Sequence, residues 1–199
     1  MKAVVALVCC LFATSIPSVP RSVPAQEQRE EFSAVAQMPA IAGNAMVGPG
    51  ATANITIYID RYSSDEEARM MAAKFAKGGH KSLRSALEKA ALKGRIEVQG
   101  RNGYYELKLI RSKSTQKGRE IFAIGERPIR FLDAYYSGVS QLDEFGVVRL
   151  DLTNNKGVEG GSGTMMHAAK IKSLDADTLL PDNHGTDPVR LTSVQKTTP

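Results

Sequence analysis

Residues 54–98 read NITIYIDRYSSDEEARMMAAKFAKGGHKSLRSALEKAALKGRIEV, and the change of period inside this stretch decides the fold. Ile55, Ile57 and Ile59 fall on one side, with Thr56, Tyr58, Asp60 and Tyr62 on the other. That period of two belongs to a half-buried strand. At Ser64 the pattern changes. Ser64-Asp65-Glu66-Glu67 is a capping box: the serine hydroxyl accepts from the Glu67 amide, Glu67 reaches back, and the acids sit at the positive end of a helix. Ala68, Met71, Ala72 and Phe75 then form an apolar stripe, and Gly78-Gly79 predicts its stop. A second helix is predicted from about Ser82 to Leu92, with Leu83, Ala86, Leu87 and Ala90 inward and Gly94 ending it.

Outward from this segment the signal is β. Ile96 and Val98 lead into Gly100-Arg101-Asn102-Gly103, a turn whose Asn-Gly pair accepts positive φ. Tyr105, Leu107 and Leu109 alternate with Glu106 and Lys108, and a polar loop is expected from Arg111 to Gly118. Further strands are expected over 120–124, 145–152, 160–171 and 189–194. Upstream, residues 26–50 read as a linker or an early strand, since Phe32 to Met38 alternates but Pro39, Gly43, Gly48, Pro49 and Gly50 follow. The predicted class is α+β: a mostly antiparallel sheet with a two-helix insertion after the first long strand, in a single globular domain over 51–199. No internal repeat is visible.

The N-terminus reads as an address. Met1-Lys2, about twelve mostly apolar residues from Ala3 to Thr14 and a Pro/Ser-rich stretch to Ala25 have the three parts of a secretory signal peptide. The apolar run is too short to span a bilayer, which takes about twenty residues, so the chain is not read as membrane-spanning. Val23-Pro24-Ala25 places the cut after Ala25; Ala13-Thr14-Ser15 is a second candidate. Both cysteines, Cys9 and Cys10, lie in the apolar run, so a mature domain would be cysteine-free and held by its core alone. Losing residues 1–25 removes Lys2 and Arg21 and no acid, so the net charge falls from +5 to +3. That mild charge and the expected export (periplasmic or secreted) argue against nucleic acid as a partner.

Few residues suggest chemistry. His80, His167 and His184 form no HxxxH or HExxH spacing, and read as a surface helix-end, a strand-face and a loop histidine. Gly161-Ser162-Gly163 precedes a strand where a nucleophile elbow requires a helix, and the same mismatch removes Gly157 to Gly163 as a phosphate loop. Asp175, Asp177 and Asp182 are the best metal candidates, because hard cations take several oxygens from a tight loop. Yet the third alternating ligand and the central glycine of a calcium loop are missing. The one marked charge bias is cationic: Arg69, Lys74, Lys77, Lys81, Arg84, Lys89, Lys93 and Arg95 against Glu88. Such a strip can meet an anionic envelope component or an acidic protein partner, with Lys77, Lys81 and Arg84 as the binding candidates. Tyr104-Tyr105 and Tyr135-Tyr136 are adjacent pairs, so each is expected to give one core ring and one surface ring. No cofactor is implied.

ITIYIDRYSSDEEAR, the helical pair, GYYELKL, REIFAIGERPIRF, VEGGSGTMMHAAKI and DPVRLTSV together resemble an uncharacterised family of exported bacterial, acidobacterial-type proteins of unknown function. The resemblance covers about residues 50–196 and implies export and a compact domain; it carries no activity, cofactor or site residue. The reading that follows is an exported, non-enzymatic binding protein of the periplasm or cell surface. The alternatives are a hydrolase-type enzyme assembled from dispersed His, Asp and Ser residues, or a carrier of a small apolar ligand if the sheet curls around a cavity.

Overall fold

The computed structural model describes residues 29–38, 51–129, 145–155, 157–182 and 188–197. The strands are β1 (Glu30–Gln37), β2 (Thr52–Ile59), β3 (Gly94–Val98), β4 (Tyr105–Leu107), β5 (Leu109–Thr115), β6 (Gly118–Gly125), β7 (Phe145–Asn155), β8 (Val158–Leu174), β9 (Leu179–Asp182) and β10 (Val189–Thr197), with one helix, α1 (Asp65–Lys89), between β2 and β3. The strand order is β4-β3-β2-β1-β10-β8-β7-β6-β5, with β9 paired to β8, and every pairing is antiparallel.

The ends of that order meet. β4 and β5 are separated in sequence by Lys108 alone, yet β4 pairs with β3 and β5 with β6. One nearly continuous extended run therefore belongs to both edges of the sheet, and the sheet curls into a nearly closed barrel. The Lys108 amide donates to the Ile124 carbonyl across the seam at 2.9 Å. Closing a sheet in this way removes most of its exposed edge.

Curvature has visible sources. The β1–β10 and β10–β8 ladders shift register at Ser33/Val35 and Leu191/Val194, and Ser193, inside the second shift, takes φ 51°. Bulges of this kind bend a strand and increase its twist. On β8, a Cβ at Gly161 would come within 2.1 Å of the Asp151 carbonyl oxygen, so only glycine permits so close an approach of β8 to β7. The glycine-rich stretch is thus a tightly coiled strand of the barrel wall.

Inward positions fill the barrel. Phe32, Ala34, Ala36 and Met38 from β1 and its end, Ile55, Ile57 and Ile59 from β2, and Val148, Leu150 and Leu152 from β7 all belong to one buried cluster. The outer faces of β5 to β8 carry a second cluster: Leu109, Phe122, Ile124, Phe145, Val147, Ala169 and Ile171 pack beneath Ala68, Met71, Leu83 and Leu87 of α1. Strand β6 is buried on both faces for this reason, which is why its sequence runs apolar without alternation. The helix starts as expected, with Ser64 as N-cap and both capping-box bonds to Glu67 present.

Two expectations are corrected. The α+β class with a two-helix insertion does not hold: the molecule is a predominantly antiparallel β structure, nearly closed, with a single helix among the described residues. Gly78 (φ −143°, ψ 17°) and Gly79 (φ 59°, ψ −152°) leave helical geometry but the helix resumes at once, so the pair kinks α1 instead of ending it. The break is that short because Met71 and Leu83, on either side of it, dock in the same cluster. The polar loop expected over 111–118 is instead the outer end of the β5–β6 hairpin. Its side chains are mostly solvent-facing, so the apolar alternation that marks a strand is absent there. The early strand of residues 26–50 is β1, which lies mid-sheet between β2 and β10.

Candidate functional site

Three surfaces gather polar chemistry: one mouth of the barrel, the outer face of α1, and the seam where β4 approaches the end of β6.

At the mouth, the apolar inward pattern of four strands ends in charge. Glu30 precedes Phe32 on β1, Arg119 precedes Ile121 on β6, Glu159 precedes Gly161 on β8, and Lys196 follows Val194 on β10. Arg119 donates to Glu159 from Nε (2.5 Å) and Nη2 (2.6 Å), and from Nη2 to Glu30 (3.0 Å). Lys196 Nζ donates to Glu30 at 2.7 Å, and the Tyr62 hydroxyl donates to Glu30 and accepts from Arg119 Nη1 at 3.0 Å. Burial pushes the Glu30 carboxyl up, but hydrogen bonds from Arg119, Lys196 and Tyr62 outweigh it and hold it below its usual value. Burial and the bond to Glu30 push the Tyr62 hydroxyl far above the usual tyrosine value. Burial works against the Arg119 charge, and its two carboxylate partners overcome that effect. Two acids and two bases, held to one another and to the Tyr62 hydroxyl, make a charged plug at this mouth.

The cationic residues of α1 and of the segment that follows it fall into two sets. Lys93 is almost fully buried and pairs with Glu67 at 2.6 Å. Arg95 bonds Glu97 at 2.8 Å and lies 4.0 Å from the Tyr58 ring. Arg84 turns inward, donating from Nη1 to the Glu126 carbonyl at 2.6 Å with its guanidinium 5.1 Å from the Phe145 ring. Lys74, Lys77 and Lys81 are exposed and form no ion pair or hydrogen bond among the described residues. The strip is thus narrower than the sequence suggests. Of the three binding candidates, Lys77 and Lys81 present free charge, while Arg84 marks where the helix meets the seam.

At the seam lies a groove of about 610 Å³ lined by Arg84, Tyr104, Tyr105, Glu106, Glu126, Arg127 and Pro128. Tyr104 is 53% exposed, whereas Tyr105 packs against the barrel core. This is the one-in, one-out arrangement expected of adjacent strand residues. Tyr135 and Tyr136 lie outside the described residues.

The remaining candidates are dispersed. Asp177 is held by Arg111 at 2.6 Å, in a clamp that also takes Asp65 at 2.6 Å and the Ser63 and Ala176 carbonyls. Asp182 lies 3.6 Å from Lys172, and Asp175 donates its amide to Thr178 in the turn before β9. Among the described residues, no group of three or more His, Cys, Asp or Glu is placed to hold a metal ion. The clamp therefore ties the start of α1 to the β8–β9 turn. His80 is not a surface histidine: at the kink of α1 its Nε2 lies 3.0 Å from the Ile171 backbone, with its ring between Phe75 and Phe145. Burial lowers His167 on β8 to about 4. His184 lies outside the described residues.

No protein-family model matches the chain, and no curated protein or solved structure matches it. Among the described residues, no helix is long and apolar enough to cross a membrane.

The sequence reading missed the mouth and the seam. Glu30, Arg119 and Lys196 each stand at an apolar parity at a strand end, and a charge in register with core positions is the signal that could have found them. The seam could not be found, since it depends on β4 and β6 meeting from opposite ends of the sheet order.

Proposed function

We propose that the chain is an exported, non-enzymatic binding protein that holds an anionic component of the cell envelope against the outer face of α1, with Lys77 and Lys81 as its principal contacts. The observation that carries this reading is the sorting of the cations. Arg84, Lys93 and Arg95 are engaged within the fold, while Lys74, Lys77 and Lys81 stand exposed on one helix with no ion pair among the described residues. Exposed lysines in a row raise the local concentration of anions and speed their encounter. Export rests on the N-terminal sequence pattern, and the resemblance to exported bacterial proteins points the same way without adding a ligand.

The two alternatives have less support. A carrier needs a cavity, and the barrel interior is occupied by inward side chains from every strand of its wall. An enzyme needs a group held ready to exchange protons, and the densest cluster of titratable groups is a set of closed ion pairs.

The test is co-sedimentation of the purified chain with isolated bacterial envelopes at low and at physiological salt. Binding is expected to weaken with salt and to be lost in a Lys77→Glu/Lys81→Glu variant, whose two sites are exposed. Equal binding by the variant overturns the assignment.

A further inference from the structure

The lysine face of α1 leads to the seam groove. Arg84 lines the groove, and Lys81 stands three residues earlier on the same helical segment, so the two side chains are neighbours on one face. At about 610 Å³ the groove falls within the range of roughly 300–1,000 Å³ typical of ligand sites.

Its lining is unusual for a lipid or a flat protein contact. It offers one broadly exposed aromatic ring, Tyr104, beside separate donors and acceptors: the Arg127 guanidinium donates, the Glu106 and Glu126 carboxylates accept, and the tyrosine hydroxyls can do either. A ring face beside closely spaced donors and acceptors matches a sugar, which has an apolar C–H face and hydroxyls around its rim. The internal pairs of the lining are weak. Arg127, largely exposed, lies 3.3 Å from Glu126, and Glu106 is held by Lys108 at a partly exposed site. Arg127 is the freely solvated partner of its pair, so its guanidinium can turn to a ligand without uncovering a buried charge. Arg84 is fixed by the Glu126 carbonyl and the Phe145 ring, so this wall is ordered before any ligand arrives.

We infer that the anionic component is an acidic saccharide chain, one ring of which stacks on Tyr104 in the seam groove while its carboxylates meet Arg127 and Lys81. This inference rests on the proposed function and names its ligand. A phospholipid headgroup would share the anionic chemistry and use the lysines, but would leave the Tyr104 ring idle; that contrast supplies the test.

Binding of the purified chain is measured to an oligogalacturonate hexamer, to a neutral cello-hexaose and to phosphatidylglycerol vesicles. Oligogalacturonate is expected to bind at least tenfold more tightly than cello-hexaose. Tyr104→Ala is expected to weaken it by about tenfold, Tyr104→Phe to preserve it, and neither to change vesicle binding. Lys81→Glu is expected to weaken both anionic probes. If vesicles bind in a Lys81-dependent way and oligogalacturonate does not, or if Tyr104→Ala leaves oligogalacturonate binding intact, the saccharide assignment is overturned while the proposed function stands. If neither probe responds to Lys81→Glu, the proposed function falls with it.

Discussion

Arg119 and Glu159 face each other across the barrel mouth in a two-point contact, Nε to Oε1 at 2.5 Å and Nη2 to Oε2 at 2.6 Å, joining β6 to β8, which are separated by β7 in the sheet. The same guanidinium reaches the nearly inaccessible Glu30 on β1, so one side chain ties together three strands. Removing one partner of a buried ion pair leaves the other charge uncompensated and costs about 3–5 kcal/mol. Arg119→Ala is therefore expected to lower the free energy of unfolding in urea by about 3 kcal/mol. Arg149→Ala, which breaks the solvent-facing pairs with Glu120 and Asp151, is expected to cost under about 1 kcal/mol.

Acid should destabilise the fold in two separable steps. His167 is held neutral by burial, at about 4 in the folded chain against 6.5 as its ordinary value, so between those limits the unfolded chain binds the extra proton. Stability is then complete above pH 6.5 and falls as the pH drops toward 4, by on the order of 2 kcal/mol. Glu30 has a lowered value, so its contribution is present above its ordinary 4.5 and is lost as the pH falls through the folded value. Thermal midpoints from pH 8 to pH 3 are expected to show both falls. His167→Gln should flatten the first and Glu30→Gln the second; an unchanged profile in either variant contradicts the assignment.

The fold was half legible in the sequence, and the boundary is physical. β2 follows from local pattern because one of its faces meets the core and the other is partly exposed, the capping box follows from its own hydrogen bonds, and β6 and the start of β7, buried on both faces, show only as apolar runs. The barrel does not follow, because its closure depends on β4 and β5, three and seven residues long, pairing with β3 and β6 from opposite ends of the sheet order. Gly78-Gly79 reads as a helix stop by any local rule, and the shared cluster under Met71 and Leu83 turns it into a kink. Of the site, Lys77 and Lys81 were visible as charge. The plug was not, since its five residues are spread over 167 positions from Glu30 to Lys196.

The capping box carries a second load. Ser64→Ala removes one helix-cap bond and is expected to cost about 1 kcal/mol. Glu67→Ala removes the other and also leaves Lys93 buried without its counter-ion, so a cost of about 3 kcal/mol is expected. Lys93→Met in the Glu67→Ala background should recover part of that loss, because it removes the stranded charge. A double-mutant cycle by chemical denaturation measures this, and additive costs would contradict the pairing.

Gly161 is expected to tolerate no side chain. A Cβ there would sit 2.1 Å from the Asp151 carbonyl oxygen, and backbone, unlike a flexible side chain, cannot swing away. Gly161→Ala should destabilise by more than about 2 kcal/mol, whereas Gly163→Ala and Gly161→Ala together should fail to give a cooperative unfolding transition. A Gly161→Ala variant as stable as the parent would place β8 farther from β7 than 2.1 Å implies.

In the proposed function, ligands meet this molecule on the outside of a filled barrel, along α1 toward the seam. Inorganic polyphosphate offers charge without a sugar ring or an acyl chain, so an amide-resolved NMR titration with it reads the cationic face alone. Binding along this face is expected to give progressive shifts at Lys74, Lys77, Lys81 and Arg84, diminishing with salt, with Ile57, Leu150 and Met165 unmoved. Shifts centred instead on the barrel interior, or on Arg119 and Lys196 at the mouth, would contradict it.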